Sequence, residues 1–286
     1  MISIEERLAE YQRDGYTVFK QYLSPDKLAE IRAVFDPIMH QHFIENPSRY
    51  RISLPNLMAD DEHAALFEDH LLNPEYLDFA ERVIGPYVQL DSFEITGYST
   101  QPISDKNRVA HWHRDAFNLT ENWDGYKFSY ERKSRHYTAP LACNCLTYLQ
   151  DMNEDTGSLR VIPGSHLDYT MIDKEDMEKP HPKEKLVTLE AGDMVFTHCE
   201  LLHAGSLNTS SAIRYFISIY IERIGLPHRD SLETPAIERI VKVAEQNNDY
   251  RTLRFFGRDT DFNQRQQVSW QKMIAEDQAA RLNIAK

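Results

Sequence analysis

The chain has 286 residues, 41% hydrophobic and 27% charged, long enough to bury one sizeable core and too balanced for a disordered or fibrous protein. A formal net charge of -13 makes nucleic acid and anionic membrane surfaces poor partners, because both would repel it. Three cysteines, Cys143, Cys145 and Cys199, give no disulfide framework; with no apolar leader and no run near the roughly 18 residues of a membrane span, a cytoplasmic location is expected.

In chain order, Ile4, Leu8 and Tyr11 share one face of a first helix that Gly15 ends. Tyr16-Thr-Val-Phe19 is a short β-prone run. Ser24-Pro25 opens a second helix, with Ser as N-cap and Pro in the first turn, and Leu28, Ile31, Phe35 and Ile38 form its apolar stripe. Asn73-Pro74 opens another helix, which Gly85-Pro86 stops. The texture then changes. Strands are predicted at Tyr87–Tyr98, Leu141–Leu149, Leu159–Ile162, Leu186–Leu189, Met194–Thr197 and Arg214–Ile221, punctuated by Gly157, Pro163-Gly164, Gly192 and Gly205. Many short strands with turn signals predict a sandwich or barrel. Beyond Pro227 the chain turns helical again: Thr234-Pro235 caps Ile237, Ile240 and Val241, and a last amphipathic segment is expected over Phe262–Leu282. The whole reads as one domain, 1–286: a helical part at 1–86, a β core at 87–223 and a helical extension at 224–286.

The chemistry is concentrated in His111-Trp-His113-Arg-Asp115. On an extended segment, His113 and Asp115 point the same way. One imidazole from a later strand would complete two histidines and a carboxylate on one face of an octahedral metal. That set leaves the positions a bidentate oxoacid and O2 need on non-heme Fe(II). His198 and His203 are both candidates. Arg214, eleven residues after His203, could clasp the distal carboxylate of 2-oxoglutarate in paired hydrogen bonds. Cys143 and Cys145 share a strand face and read as packing or pocket-wall thiols.

Taken together, His113-Arg-Asp115, Gly157-Ser-Leu-Arg-Val-Ile-Pro-Gly-Ser-His166, Gly192-Asp-Met-Val-Phe196, His203-Ala-Gly-Ser-Leu-Asn208 and Arg214 resemble the phytanoyl-CoA dioxygenase family of Fe(II)/2-oxoglutarate-dependent oxygenases. The resemblance runs from Gly15-Tyr-Thr-Val18 to about Tyr220. It implies a mainly β fold with flanking helices around a double-stranded β-helix, a jelly-roll, cupin-like core. It implies His113, Asp115 and His203 as iron ligands and catalytic residues, and Arg214 as the 2-oxoglutarate clamp. Tyr98 and Thr147 would add polar contacts to 2-oxoglutarate. His198 falls outside the implied ligand set, and His166 reads as structural. Fe(II), 2-oxoglutarate and O2 would together hydroxylate a C–H bond, releasing succinate and CO2. In related halogenases a small residue replaces the carboxylate, so Asp115 argues for oxygenation.

The substrate is expected to be a small molecule, anionic ones included. Residues 116–140, rich in aromatics from Phe117 to Tyr137, read as a lid or pocket rim, and Arg132-Lys-Ser-Arg135 could attract a carboxylate or phosphate. A catalytically silent β-barrel binding protein has no need for His113, Asp115, His203 and Arg214 together. A cupin-like metal enzyme without an oxoacid has no need for Arg214.

Overall fold

The computed structural model describes residues 2–102, 108–115, 137–168 and 172–259. Helix α1 spans Ile4–Asp14, closed in front by a reciprocal Ser3–Glu6 capping box and behind by Gly15 at φ 83°, a left-handed conformation that favours glycine. Strand β1, Tyr16–Phe19, follows directly. Helix α2, Pro25–Glu45, starts on Ser24. Its buried stripe is Ile31, Phe35 and Met39, so the expected stripe breaks at Ile38, which is 36% exposed. Strand β2, Arg51–Leu54, and helix α3, Asp61–Leu71, are additions that sequence patterning did not pick out. Helix α4, Pro74–Ile84, sits where Asn73-Pro74 predicts it.

Strands β3 (Val88–Tyr98), β4 (Ala142–Tyr148), β5 (Leu159–Val161), β6 (Lys185–Val187), β7 (Met194–His198), β8 (His203–Gly205) and β9 (Arg214–Arg223) build the core. They form a six-stranded sheet, order β1-β7-β4-β9-β3-β2, and a three-stranded sheet, order β6-β5-β8, with antiparallel pairing in both. The sheets do not close into a barrel. This is the open double-stranded β-helix architecture, with helices α5 (Pro235–Asn247) and α6 (Tyr250–Phe255) following it. The expected segment at 262–282 and residues 116–136 of the expected rim lie outside the described residues.

Alternation along β9 sets the layers. Ile217, Ile219 and Ile221 join Phe35, Phe67, Phe79 and Phe93 in the core between the large sheet and the helices. Arg214, Phe216, Ser218 and Tyr220 point the other way, into a cavity between the two sheets. Leu146, Tyr148, Leu159, Val161 and Val195 pack there as a second, smaller cluster. One sheet face therefore supplies stability and the opposite face supplies the site.

No helix among the described residues is long and apolar enough to cross a membrane.

Candidate metal centre

Residues 109–113 run antiparallel to β8 and extend the small sheet. His113 and His203 exchange both backbone hydrogen bonds, at 2.9 and 3.0 Å. This bridge sets the two imidazoles side by side, ring centroids 4.3 Å apart. Alternation then sorts the neighbours. Trp112 turns into a separate apolar cluster and donates Nε1–H to the Lys179 carbonyl at 2.8 Å, and Arg114 donates to the Ser165 carbonyl. His113 and Asp115 face the other way. His113 Nε2 lies 3.7 Å from Asp115 Oδ1, and His203 Nε2 lies 3.7 Å from Asp115 Oδ2. One ligand atom from each of the three residues falls within 4.8 Å of the others.

The tautomers are set by the backbone. His113 Nδ1 donates to the His111 carbonyl at 2.9 Å, and His203 Nδ1 donates to the Leu201 carbonyl at 3.1 Å. Both Nε2 lone pairs are thereby left toward Asp115, the orientation a metal-binding imidazole needs. Desolvation within the cavity, with His203 beside it, pushes the His113 pKa down to about 4 against the pull of Asp115. Burial alone would raise the Asp115 carboxyl. His203 and His113, with hydrogen bonds from Asn144 and Tyr220, outweigh it and hold that carboxyl below its ordinary value. A neutral His113 beside an ionised carboxylate is the protonation state that a divalent cation requires.

His113 and His203 line a cavity of about 260 Å³ that also holds Arg214, Tyr98, Asn144, Tyr148 and Tyr220. Arg214 is 4% exposed. Its Nη1 donates to the carbonyls of Gly157 (2.6 Å) and Ser206 (3.0 Å), and its guanidinium lies 4.2 Å from the Tyr98 ring centroid. Among the described residues Nε has no hydrogen-bond partner and no carboxylate lies within ion-pair distance. A buried cation without a counter-ion is costly, so this end of the cavity fits an anionic group. Two glycines make room for the guanidinium itself. A Cβ on Gly157, already at φ 86°, would lie 2.9 Å from Arg214 Nη1, and one on Gly205 would lie 3.2 Å away.

Of the residues singled out in the sequence, His113, Asp115, His203, Arg214 and Tyr98 are brought to this cavity or its boundary. Thr147 is not. Its hydroxyl faces His70 Nε2 at 3.5 Å on the opposite face of β4, and the next residue, Tyr148, lines the cavity instead. His198 is packed away from the cavity, stacked on Tyr11 and beside His166, and its Nδ1 accepts from the Glu200 backbone at 3.1 Å. His166 donates to the Gln12 carbonyl at 3.1 Å, tying its loop to α1. Cys143 and Cys145 are buried and free, as is Cys199, and burial raises all three thiols. His203→Ala is therefore expected to abolish Fe(II) binding, while His198→Ala keeps it and loses thermal stability. Anaerobic Fe(II) titration beside a melting curve separates the two. Iron binding that survives His203→Ala but not a folded His198→Ala would exchange their roles.

Sequence reading also missed a second cavity, about 270 Å³, lined by Asp91, Asp115, Cys143, Cys199, Tyr220 and Arg229, among others. Beside it Glu222 is fully buried. Neither carboxyl oxygen has a hydrogen-bond partner among the described residues, though His228 Nδ1 is 3.4 Å from one of them. Burial, then Asp91, pushes its pKa from the ordinary 4.5 up to about 8. The fold thus favours the protonated form, and the stability this lends is lost as pH rises from 4.5 through about 8. Glu222→Gln mimics that form. It should match the wild type near pH 5 and then exceed it by on the order of 1 kcal/mol per pH unit as the pH rises toward 8. Urea melts across the range check this, and a pH-independent difference would show that Glu222 does not carry the proton.

Two histidines and one carboxylate between two antiparallel sheets, with oriented imidazoles, define an Fe(II)/2-oxoglutarate-oxygenase-like enzyme. Residues 11–216 match the phytanoyl-CoA dioxygenase (PhyH) family, and the chain belongs to that family. The dioxygenase FrzG of Cladobotryum sp is 21% identical over 238 residues, covering 76% of this chain and 74% of its own. HygX from Streptomyces hygroscopicus, solved with nickel and 2-oxoglutarate bound, superposes with a TM-score of 0.60 at 13% identity, over 82% of this chain and 92% of that one. The non-heme alpha ketoglutarate dependent carbocyclase SnoK from nogalamycin biosynthesis gives 0.57 at 18% identity, over 83% and 91%. At these identities the structural likeness is one of fold. The chemistry common to the family is Fe(II)/2-oxoglutarate-dependent oxidation of a small substrate.

Proposed function

We propose that this chain holds Fe(II) through His113, Asp115 and His203, binds 2-oxoglutarate with its distal carboxylate on Arg214, and hydroxylates a C–H bond of a small-molecule metabolite. The observation that carries this reading is Arg214: a buried guanidinium with an unsatisfied Nε and no counter-ion among the described residues, in the cavity that His113 and His203 line. Iron with 2-oxoglutarate and O2 supplies an oxidant able to break a C–H bond, with succinate and CO2 as coproducts. The protein supplies orientation. The His111 and Leu201 carbonyls fix the two imidazoles, and Asn144 and Tyr220 hold the carboxylate. The Tyr98 ring and the Gly157 carbonyl keep the Arg214 fork facing the cavity, and the Tyr98 and Tyr148 hydroxyls are candidates to meet the cosubstrate.

Residues 1–286 are taken as one domain, since β1 and β2, from the helical N-terminal part, form both edges of the large sheet. Three free cysteines favour a reducing compartment such as the cytoplasm. The second cavity, which Asp115 also lines, is where the primary substrate would sit.

The test is anaerobic titration of the Fe(II)-loaded protein with 2-oxoglutarate. A bidentate oxoacid complex gives a weak visible metal-to-ligand absorption. Saturable Fe(II) binding without that band would leave a metal enzyme that does not use an oxoacid.

A further inference from the structure

Asp115 is held by Asn144 and flanked by Tyr220. Asn144 Nδ2 donates to Asp115 Oδ2 at 3.2 Å, and Ser218 Oγ donates to Asn144 Oδ1 at 2.8 Å, which fixes the end of the amide that faces the carboxylate. Both Asn144 and Ser218 are buried. The Tyr220 hydroxyl stands beside the same carboxylate and helps hold it ionised.

Tyr220 is also where the two cavities meet. It lines the first with Arg214 and the second with Asp91 and Arg229. On the second side its ring carries a cation: the Arg229 guanidinium carbon lies 3.9 Å from the ring centroid. Asp91 pins that guanidinium, Oδ2 accepting from Nε at 2.8 Å and from Nη2 at 2.5 Å, while Oδ1 accepts from the Arg229 backbone at 2.8 Å. A carboxylate that gives one oxygen to a metal needs a donor for the other, and the partners that orient ligands in this way tune a site strongly. A cation over a phenol ring draws on its electron density and makes the hydroxyl a better donor.

We infer that Tyr220 is the positioning residue of this centre: its hydroxyl holds Asp115 with one oxygen toward the metal, and its ring relays the presence of Arg229 in the second cavity to that carboxylate. The inference rests on Asp115 being a metal ligand.

The test uses the full chain under anaerobic conditions. Tyr220→Phe keeps the ring and removes the hydroxyl. Fe(II) affinity should fall by about 10–100-fold. The visible band of the Fe(II)–2-oxoglutarate complex should move to longer wavelength, because a carboxylate freed from its donor gives more charge to the metal. Site-specific 3-fluorotyrosine at position 220, a stronger donor, should keep most of the affinity and move the band the other way. Arg229→Gln should weaken Fe(II) binding in the wild-type background and have no further effect in Tyr220→Phe, since coupled sites are not additive.

Wild-type affinity and an unmoved band in folded Tyr220→Phe would overturn the positioning role, and additive losses would overturn the relay from Arg229. Should Tyr220→Phe not fold, the direction of the fluorotyrosine shift decides. Asp115→Ala separates the two levels. If it still binds Fe(II), the ligand assignment fails; if it does not, and Tyr220→Phe binds as wild type, only the role of Tyr220 fails.

Discussion

Asp115→Ala is expected to abolish tight Fe(II) binding and, with it, all succinate release. The two remaining ligands are imidazoles, so the substitution removes the only anionic donor of the set. Losing a partner that merely orients a ligand costs about 10–100-fold in metal affinity, and losing the ligand itself should cost more. The metal-free fold should hardly notice. The Asp115 side chain is 8% exposed, and removing a buried carboxylate relieves a desolvation cost at the same time as it removes hydrogen bonds. Calorimetry therefore provides a readout independent of turnover. A metal at about 100 times its dissociation constant adds about 2.7 kcal/mol to wild-type stability, and that increment should vanish in the variant while the metal-free melting temperature stays close to wild type. An unchanged Fe(II)-dependent increment would remove Asp115 from the ligand set.

Arg214→Ala should raise the apparent constant for 2-oxoglutarate by a factor of tens to thousands, since truncating one partner of a buried charged pair costs about 2–5 kcal/mol. Fe(II) binding without cosubstrate should change little, because Arg214 is held by the Gly157 and Ser206 carbonyls and the Tyr98 ring rather than by the metal cluster. Arg214→Lys should fall between the two, restoring charge but not the planar fork. The assay is 2-oxoglutarate-dependent turnover beside anaerobic Fe(II) titration of each variant. Unchanged 2-oxoglutarate dependence would move the clamp elsewhere.

What could be read from the sequence follows from periodicity. His113 and Asp115 are legible because a spacing of two fixes a shared face on any extended segment, and Arg214 because it follows His203 by eleven residues, at the head of a strand that alternates between isoleucines and polar or aromatic residues. The same alternation points to Tyr220, six residues from Arg214 and so on the same face; that signal was present and unused. Strand β4 offered no such signal. All seven of its residues are buried, some under the helices and some in the cavity, so neither face reads as polar, and Thr147, named from the family resemblance, lies on the face toward His70. Strand β8 has three residues, too few to show a period, and was seen only as the motif around His203. Glu222 and Asp91 lay hidden because a charged residue in a strand ordinarily signals solvent, and here both are buried beside Arg229 and His228.

The place of β1 bears on how the protein can be handled. It is the outermost strand of the large sheet and pairs along its length with β7, while Gly15, just before it, accepts the His198 backbone hydrogen bond at 2.8 Å. Trimming the chain to Lys20 would uncover Met194-Val-Phe-Thr-His198 as a new open margin of five residues, all buried in the intact fold. An unpaired, largely apolar strand of that kind is a template for another chain. The first nineteen residues therefore act as a guard against self-association, and affinity tags belong ahead of them, never in their place.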